Sequence, residues 1–235
     1  MDLRWRKMES KIIHGDCIDV MRTFQSNSID IIITDPPYFV PVEHYKTRKK
    51  FGRNFGDLGI LESFFKIWFR QVDRILKKDG FLFMFCDGQS YPLFFYHSYP
   101  LFQIVRPLIW DKKVSFNGYY WRHQHELILF GVRPERHKIP TGDGDILRCS
   151  AVKVDKRKHP AEKPVELIKK FIEKVSLNED DIILDPFAGC GSVMEACIEC
   201  NRKYIMIEKD LSYFQIIKER EQKLKTKIQI TYKLF

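Results

Sequence analysis

Short runs of apolar residues alternate along this chain with longer segments in which apolar residues recur at helical spacing. The short runs predict β-strands over 11–14, 29–34, 81–86, 104–110, 126–132, 181–185 and 203–208. The longer segments predict α-helices over 16–25, 60–78, 163–176, 191–201 and 211–225. Strands followed by helices in this way predict an α/β fold, a mostly parallel seven-stranded sheet with helices on both faces. The 60–78 helix sets Leu61, Phe64, Phe65, Trp68, Val72, Ile75 and Leu76 on one broad face, which reads as core. Lys77 and Lys78 suit its last turn, and Gly80 is expected to stop it. The aromatic stretch 91–102, broken by Pro92 and Pro100, reads as packing or a subunit contact.

Three segments lack this periodicity: 41–59, 112–123 and 133–163. Structureless loops of such length are usually functional or disordered, and their charge favours binding. Of the formal net charge of +9, residues 41–60 carry +3 and residues 132–163 carry +4. Basic charge concentrated in two windows is the footprint expected for a polyanionic partner such as nucleic acid. The 235 residues, 44% of them hydrophobic, are enough for one sizeable α/β domain spanning 1–235.

Other classes are disfavoured. The segment MDLRWRKMESK has no apolar stretch of the kind a secretory signal needs, and no run is long enough to span a membrane. Six cysteines form no disulfide framework in a chain of this length, so a reducing, cytoplasmic setting is expected. Cys197 and Cys200 lack a second ligand pair, and His123 and His125 lack partners, so no metal is expected.

Two corners carry the candidate chemistry. Thr34-Asp35-Pro36-Pro37-Tyr38 follows the 29–34 strand, and loops at the carboxyl ends of parallel strands are where open α/β sheets bind ligands. The two prolines fix φ and lack N–H groups, and Asp35 is restricted because it precedes one of them. A rigid corner offering a carboxylate, a carbonyl and an aromatic ring suits a planar amino group. The second corner, Asp185-Pro186-Phe187-Ala188-Gly189-Cys190-Gly191, follows the 181–185 strand. Its glycines allow close backbone approach to a ligand. Glu208 ends the next strand 17 residues after Gly191, a placement suited to the hydroxyls of a ribose. With Asp185 in the loop, the corner favours a cofactor bearing an ammonium and a sulfonium over a pyrophosphate, hence S-adenosylmethionine over a dinucleotide.

Together these two motifs resemble those of amino-methyltransferases acting on DNA. Their order, catalytic motif first and cofactor motif last, is similar to that of the permuted beta class. Gly15-Asp16-Cys17, His159-Pro160-Ala161-Glu162-Lys163-Pro164 and Ile207-Glu208-Lys209-Asp210 resemble further motifs of that family, so the match runs over residues 11–221. Cys190 and Ser192-Val193 stand where the family commonly has Ser and Gly-Thr, and residues 226–235 lie outside the match.

The resemblance implies a Rossmann-like class I fold with circularly permuted motif order. It implies Asp35, Pro36, Pro37 and Tyr38 as the catalytic residues. S-adenosylmethionine would be held by Asp16, Asp35, Lys163, Asp185, Phe187, Ala188, Gly189, Gly191, Ser192 and Glu208. It places Asp16 at the cofactor adenine, the Lys163 motif at the methionine end and a small target-recognition insertion at 132–160. The 41–60 loop would contribute Lys46, Arg48, Lys49, Lys50 and Arg53 to DNA. The second basic window would contribute Arg133, Arg136, Lys138, Arg148, Lys153, Lys156, Arg157 and Lys158. The target would be an exocyclic amine of a base flipped out of double-stranded DNA. Asp at position 35 leans towards the N6 of adenine, with the N4 of cytosine as the rival. An RNA amino-methyltransferase and a non-catalytic DNA-binding partner remain open alternatives. A companion restriction endonuclease and a homodimer are compatible partners.

Overall fold

The computed structural model describes residues 9–37, 57–114, 120–135, 142–153, 155, 157–159 and 161–233. Along the chain run β1 (Lys11–His14), α1 (Cys17–Arg22), β2 (Ile29–Thr34), α2 (Leu58–Ile75), β3 (Leu76–Cys86), α3 (Tyr91–Ser98) and β4 (Ile104–Asp111). Then follow β5 (His125–Val132), β6 (Ile146–Arg148), α4 (Val165–Val175), β7 (Ile182–Asp185), α5 (Ser192–Glu199), β8 (Lys203–Glu208) and α6 (Leu211–Lys233). All seven predicted strands are present. An eighth, β6, pairs parallel with β4 through Ile109↔Ile146, Trp110↔Leu147 and Asp111↔Arg148.

The strand order is β1-β8-β7-β2-β3-β5-β4-β6. Every neighbouring pair is parallel except the two that β5 makes with β3 and β4. From β7 the chain moves through α5 to β8 on one side, and from β2 it moves through α2 to β3 on the other. The connections therefore diverge between β7 and β2. That divergence opens a crevice at the strands' carboxyl ends, where ligands bind in sheets of this kind.

The helices cover both faces. Cys17, Ile18 and Met21 of α1, Leu61, Phe65, Trp68 and Val72 of α2 and Phe94 of α3 pack on one side of the sheet, against Ile32, Leu82, Met84 and Leu184. Leu167, Ile168 and Phe171 of α4, Met194 and Cys197 of α5 and Ile217 of α6 pack on the other, against Ile31, Ile33, Phe83, Ile183 and Met206. The α2 stripe is the one its periodicity predicts. The Asp57 side chain caps the helix by accepting from the Gly59 and Ile60 N–H groups.

Two local expectations are corrected, and one helix is added. The α2 helix ends at Ile75, and Leu76 turns extended (φ −71, ψ 131) and begins β3 at once. Gly80 lies inside β3, where an added Cβ would sit 2.8 Å from the Asp30 carbonyl oxygen; it permits close strand contact and does not stop the helix. The proline-broken aromatic stretch contains α3, because Pro92 falls in the first helical turn, where its missing N–H costs nothing.

Arg133, expected at DNA, is turned inward and only 8% exposed. Its guanidinium donates to the carbonyl oxygens of Leu101 (2.7 Å) and Asp73 (2.7 Å) and to the Asp73 carboxylate (2.8 Å), and lies over the Phe102 ring. It clamps α2 to the start of β4, and this correction lowers the exposed charge of the second basic window. Arg133→Ala should therefore destabilise the fold by about 2–4 kcal/mol, since buried carbonyls lose their donors. DNA affinity of the folded fraction should be unchanged. Urea unfolding paired with a DNA titration checks this; a stable variant with weakened DNA binding would return Arg133 to the DNA surface.

Candidate active site

The parallel register of β2 with β7, Ile31↔Ile183 and Ile32↔Leu184, brings the ends of these strands side by side. The Thr34 hydroxyl donates to Asp185 Oδ1 at 2.8 Å, and both residues are buried. The two corners read from sequence thus meet directly. They line one cavity of about 670 Å³ together with Gly15, Asp16, Lys163, Ser192 and Glu208. That volume lies in the range of small-molecule and cofactor sites.

The cofactor side is built from backbone. Gly189 and Gly191 adopt φ of 53° and 85°, the left-handed region that disfavours side chains. The loop closes on itself through Gly191 N–H to Ala188 O (2.8 Å) and is tied to β8 through Ala188 N–H to Ile207 O (3.0 Å). Glu208 receives the Gly189 N–H on one carboxylate oxygen (2.8 Å) and the Asp210 N–H on the other (2.7 Å). Burial nonetheless raises its pKa, against those backbone donors. Phe187 is seated by ring contacts with Phe64 and Trp68 of α2. Asp16 caps α1 through the Ile18 N–H and takes an ion pair from Lys209 at 2.7 Å. Burial opposes its ionisation, but Lys209 and the Ile18 N–H hold its pKa below the ordinary value.

At the other corner, Asp35 and Pro37 line the cavity beside buried Pro36. Lys163, 7% exposed, donates to Asp35 Oδ2 at 2.6 Å and stands 3.3 Å from Glu126 Oε2. Burial would lower the lysine's pKa, but the two carboxylates hold it above normal. The resemblance places Lys163 at the methionine end of the cofactor; here it also grips the Asp35 carboxylate. Tyr38 lies outside the described residues, as do Lys46, Arg48, Lys49, Lys50, Arg53, Arg136, Lys138 and Lys156. Arg148 is exposed on the edge strand β6, 3.6 Å from Asp111, and Lys153 and Lys158 are exposed in the following loop. Arg157 is half-buried, with Nε donating to Val152 O at 2.7 Å.

Two site residues escaped the sequence. Glu126 was only the first residue of a predicted strand. Arg220 of α6, 8% exposed, contacts Glu162 (2.9 Å), the Cys190 carbonyl (3.0 Å) and Glu195. It fastens the turn before α4, the glycine loop and α5 to one another. Neither residue carries a sequence signal, because their partners lie on other elements.

The cavity fits S-adenosylmethionine by its own chemistry. Its described lining holds six carboxylates, from Asp16, Asp35, Glu162, Asp185, Glu208 and Asp210, against two lysines, Lys163 and Lys209. Such a lining suits a sulfonium and an ammonium and opposes a pyrophosphate. Among the described residues no cluster of three or more His, Cys, Asp or Glu could hold a metal, and no helix is long and apolar enough to cross a membrane.

Sheet order, divergent connections and a carboxylate-rich cavity at the strand ends define a Rossmann-like class I methyltransferase that uses S-adenosylmethionine. The family model for N6/N4 DNA methylases matches residues 29–219, and the chain belongs to that family. It is 30% identical over 241 residues to the type II methyltransferase M2.MboI of Moraxella bovis, covering 89% of this chain and 86% of that one. The crystal structure of the M1.HpyAVI–SAM complex superposes with a TM-score of 0.67 at 25% identity, over 89% of this chain and 98% of that one. The cytosine-N4-specific PvuII DNA methyltransferase shares the fold, with a TM-score of 0.73 at 16% identity, over 94% and 91% of the two chains.

Asp185 gives this site a pH signature. Burial pushes its pKa up to about 7 from 3.8, against the donors Phe187 N–H and Thr34 hydroxyl. A carboxyl whose folded pKa is raised contributes stability at low pH that is lost as pH rises from the unfolded towards the folded value. In that window the ligand-free protein should lose about 1.4 kcal/mol per pH unit from this group. Asp185→Asn keeps an acceptor for both donors and cannot ionise. The variant should therefore overtake the parent in stability as pH rises from about 5 to 7. Urea unfolding across that range checks it, and parallel curves for the two proteins would contradict the assignment.

Proposed function

We propose that this chain methylates the exocyclic N6 of adenine in a base flipped out of double-stranded DNA. The observation that carries the proposal is the sharing of one cavity by the Asp35-Pro36-Pro37 corner and the Gly189–Gly191 loop. An acceptor for an amine and a cradle for the methyl donor are then adjacent, and proximity of two reactants supplies up to roughly 7–11 kcal/mol of barrier reduction.

Bound S-adenosylmethionine supplies an electrophilic methyl group on a sulfonium. The chain's residues do the rest. Glu208 receives ribose hydroxyls, the glycines admit the cofactor backbone-close, and Asp16 faces its adenine end. The lone pair of an exocyclic amine is delocalised into the base, so the nitrogen is a poor nucleophile. Asp35 and the Pro36 carbonyl accept from its two N–H groups, which favours a more tetrahedral nitrogen. Asp35 then stabilises the positive charge that grows there and passes the departing proton to solvent. Tyr38 stacks on the base and offsets part of the flipping cost of a few kcal/mol. Pro36 and Pro37 keep the corner rigid throughout.

The basic segment that precedes α2 and the exposed basic residues after β5, Arg148, Lys153 and Lys158 among them, hold phosphates and read the target. Arg148 and the residues that follow extend from the carboxyl end of β6, which runs parallel to β4. β4 in turn runs in the same direction as β2 and β7, so this end of β6 is on the crevice side of the sheet. A restriction endonuclease with the same target is a companion compatible with this reading. The choice of adenine rests on Asp35, the residue that leans that way in the family. DNA isolated from a methylation-free host expressing the chain, digested to nucleosides and resolved by mass, should contain N6-methyladenine. N4-methylcytosine in its place would transfer the same mechanism to the rival base, and neither product would reject the function.

A further inference from the structure

Resting on that reading, we propose that Glu126 and Lys112 are positioning residues that set the acceptor strength of Asp35 through Lys163. Four charged side chains of alternating sign form an unbroken chain from the foot of the β4–β5 connection to the catalytic corner. Lys112 lies 2.7 Å from Glu126 Oε1, Glu126 Oε2 lies 3.3 Å from Lys163 Nζ, and Lys163 donates to Asp35 Oδ2 at 2.6 Å. The side chains of Lys112, Glu126 and Lys163 are 14%, 22% and 7% exposed, so solvent screens their coupling weakly. Each ammonium also rests over an aromatic face, Lys112 over Trp110 at 5.0 Å and Lys163 over Phe85 at 5.1 Å. Such seating fixes where the charges sit.

The proposed chemistry gives this arrangement a use. A lysine at 2.6 Å from a carboxylate weakens it as an acceptor, because the cation already satisfies part of its charge. Asp35 must still accept from a weak amine and stabilise positive charge on nitrogen. Glu126 draws on the same ammonium from the other side, which leaves Asp35 a stronger acceptor. Lys112 in turn moderates Glu126. The two carboxylates keep Lys163 protonated, and the two lysines keep Glu126 ionised against its burial.

The arrangement makes the two positioning residues act with opposite sign. Removing the charge of Glu126 takes away the carboxylate that competes with Asp35 for Lys163 and lowers the proton affinity of Asp35. Removing the charge of Lys112 leaves Glu126 to Lys163, on which it then draws more strongly, and raises that affinity. Asp35 also interacts electrostatically with Cys86 at the end of β3, Asp185 at the end of β7 and His159 in the turn before α4. They are common to both variants and cannot produce a difference of sign.

The test is the pH dependence of kcat at saturating DNA and S-adenosylmethionine for the parent, Glu126→Gln and Lys112→Gln. Glu126→Gln should move the acid limb down by about half a pH unit or more and lower kcat several-fold. Lys112→Gln should move the limb up. Shifts in the same direction, or no shift in either, would overturn the proposal, since a packing role predicts losses of one kind. Thermal unfolding reports whether each variant folds; should Glu126→Gln fail, the upward shift in Lys112→Gln still decides. A parent enzyme without methyl transfer would defeat the functional reading, a result distinct from any outcome among the variants.

Discussion

The hydroxyl of Thr34 on the carboxylate of Asp185 is the joint on which the site depends. It lies where β2 and β7 run parallel and their connections part, so it sets the Asp35 corner against the glycine loop at a fixed register. A slip of one residue along either strand would turn its side chains to the opposite face of the sheet. The apolar faces forbid that slip: Ile31, Ile33 and Ile183 are buried under one helical layer, and Ile32 and Leu184 under the other. Packing thus fixes the Asp35-Pro36-Pro37 corner and the glycine loop relative to each other.

Charge is arranged around that joint in a way that favours function over stability. Asp185 is buried with its pKa pushed up to about 7, and Glu208 is raised by burial as well. Retaining these carboxylates in a hydrophobic setting costs folding free energy. The cost is consistent with a cavity waiting for a cationic ligand, whose binding would relieve it. Asp35 is handled differently, through an ion pair with buried Lys163 that is shared with Glu126. The Asp35 corner and the glycine loop therefore carry acids in two electrostatic conditions, one paired and one desolvated.

Much of this was legible in the chain. Seven strands show as apolar runs, and α2 shows its buried stripe, because burial imposes periodicity that a reader can count. The two corners show because prolines and glycines at strand ends have few other uses. What failed has physical causes. The three residues of β6 are too few for any period, and α3 was hidden by a proline that the first helical turn tolerates. The passage from α2 to β3 has no loop, and Ile75 and Leu76 are buried on both sides of it, so hydropathy gives no boundary. Arg133 counts as a surface charge in sequence, yet three hydrogen bonds turn it inward. Glu126 and Arg220 act through partners far along the chain, which no local pattern encodes.

On the proposed function, Asp35 serves the incoming amine while the glycine loop and Glu208 serve the cofactor, in one cavity. Calorimetry of S-adenosylmethionine binding, paired with single-turnover methyl transfer, tests it on Asp35→Ala. The account predicts cofactor affinity within about tenfold of the parent and a transfer rate lower by a factor on the order of 10³ or more. Transfer at near-parental rate in the folded variant would contradict it. So would a loss of cofactor affinity large enough to account for the whole loss of rate.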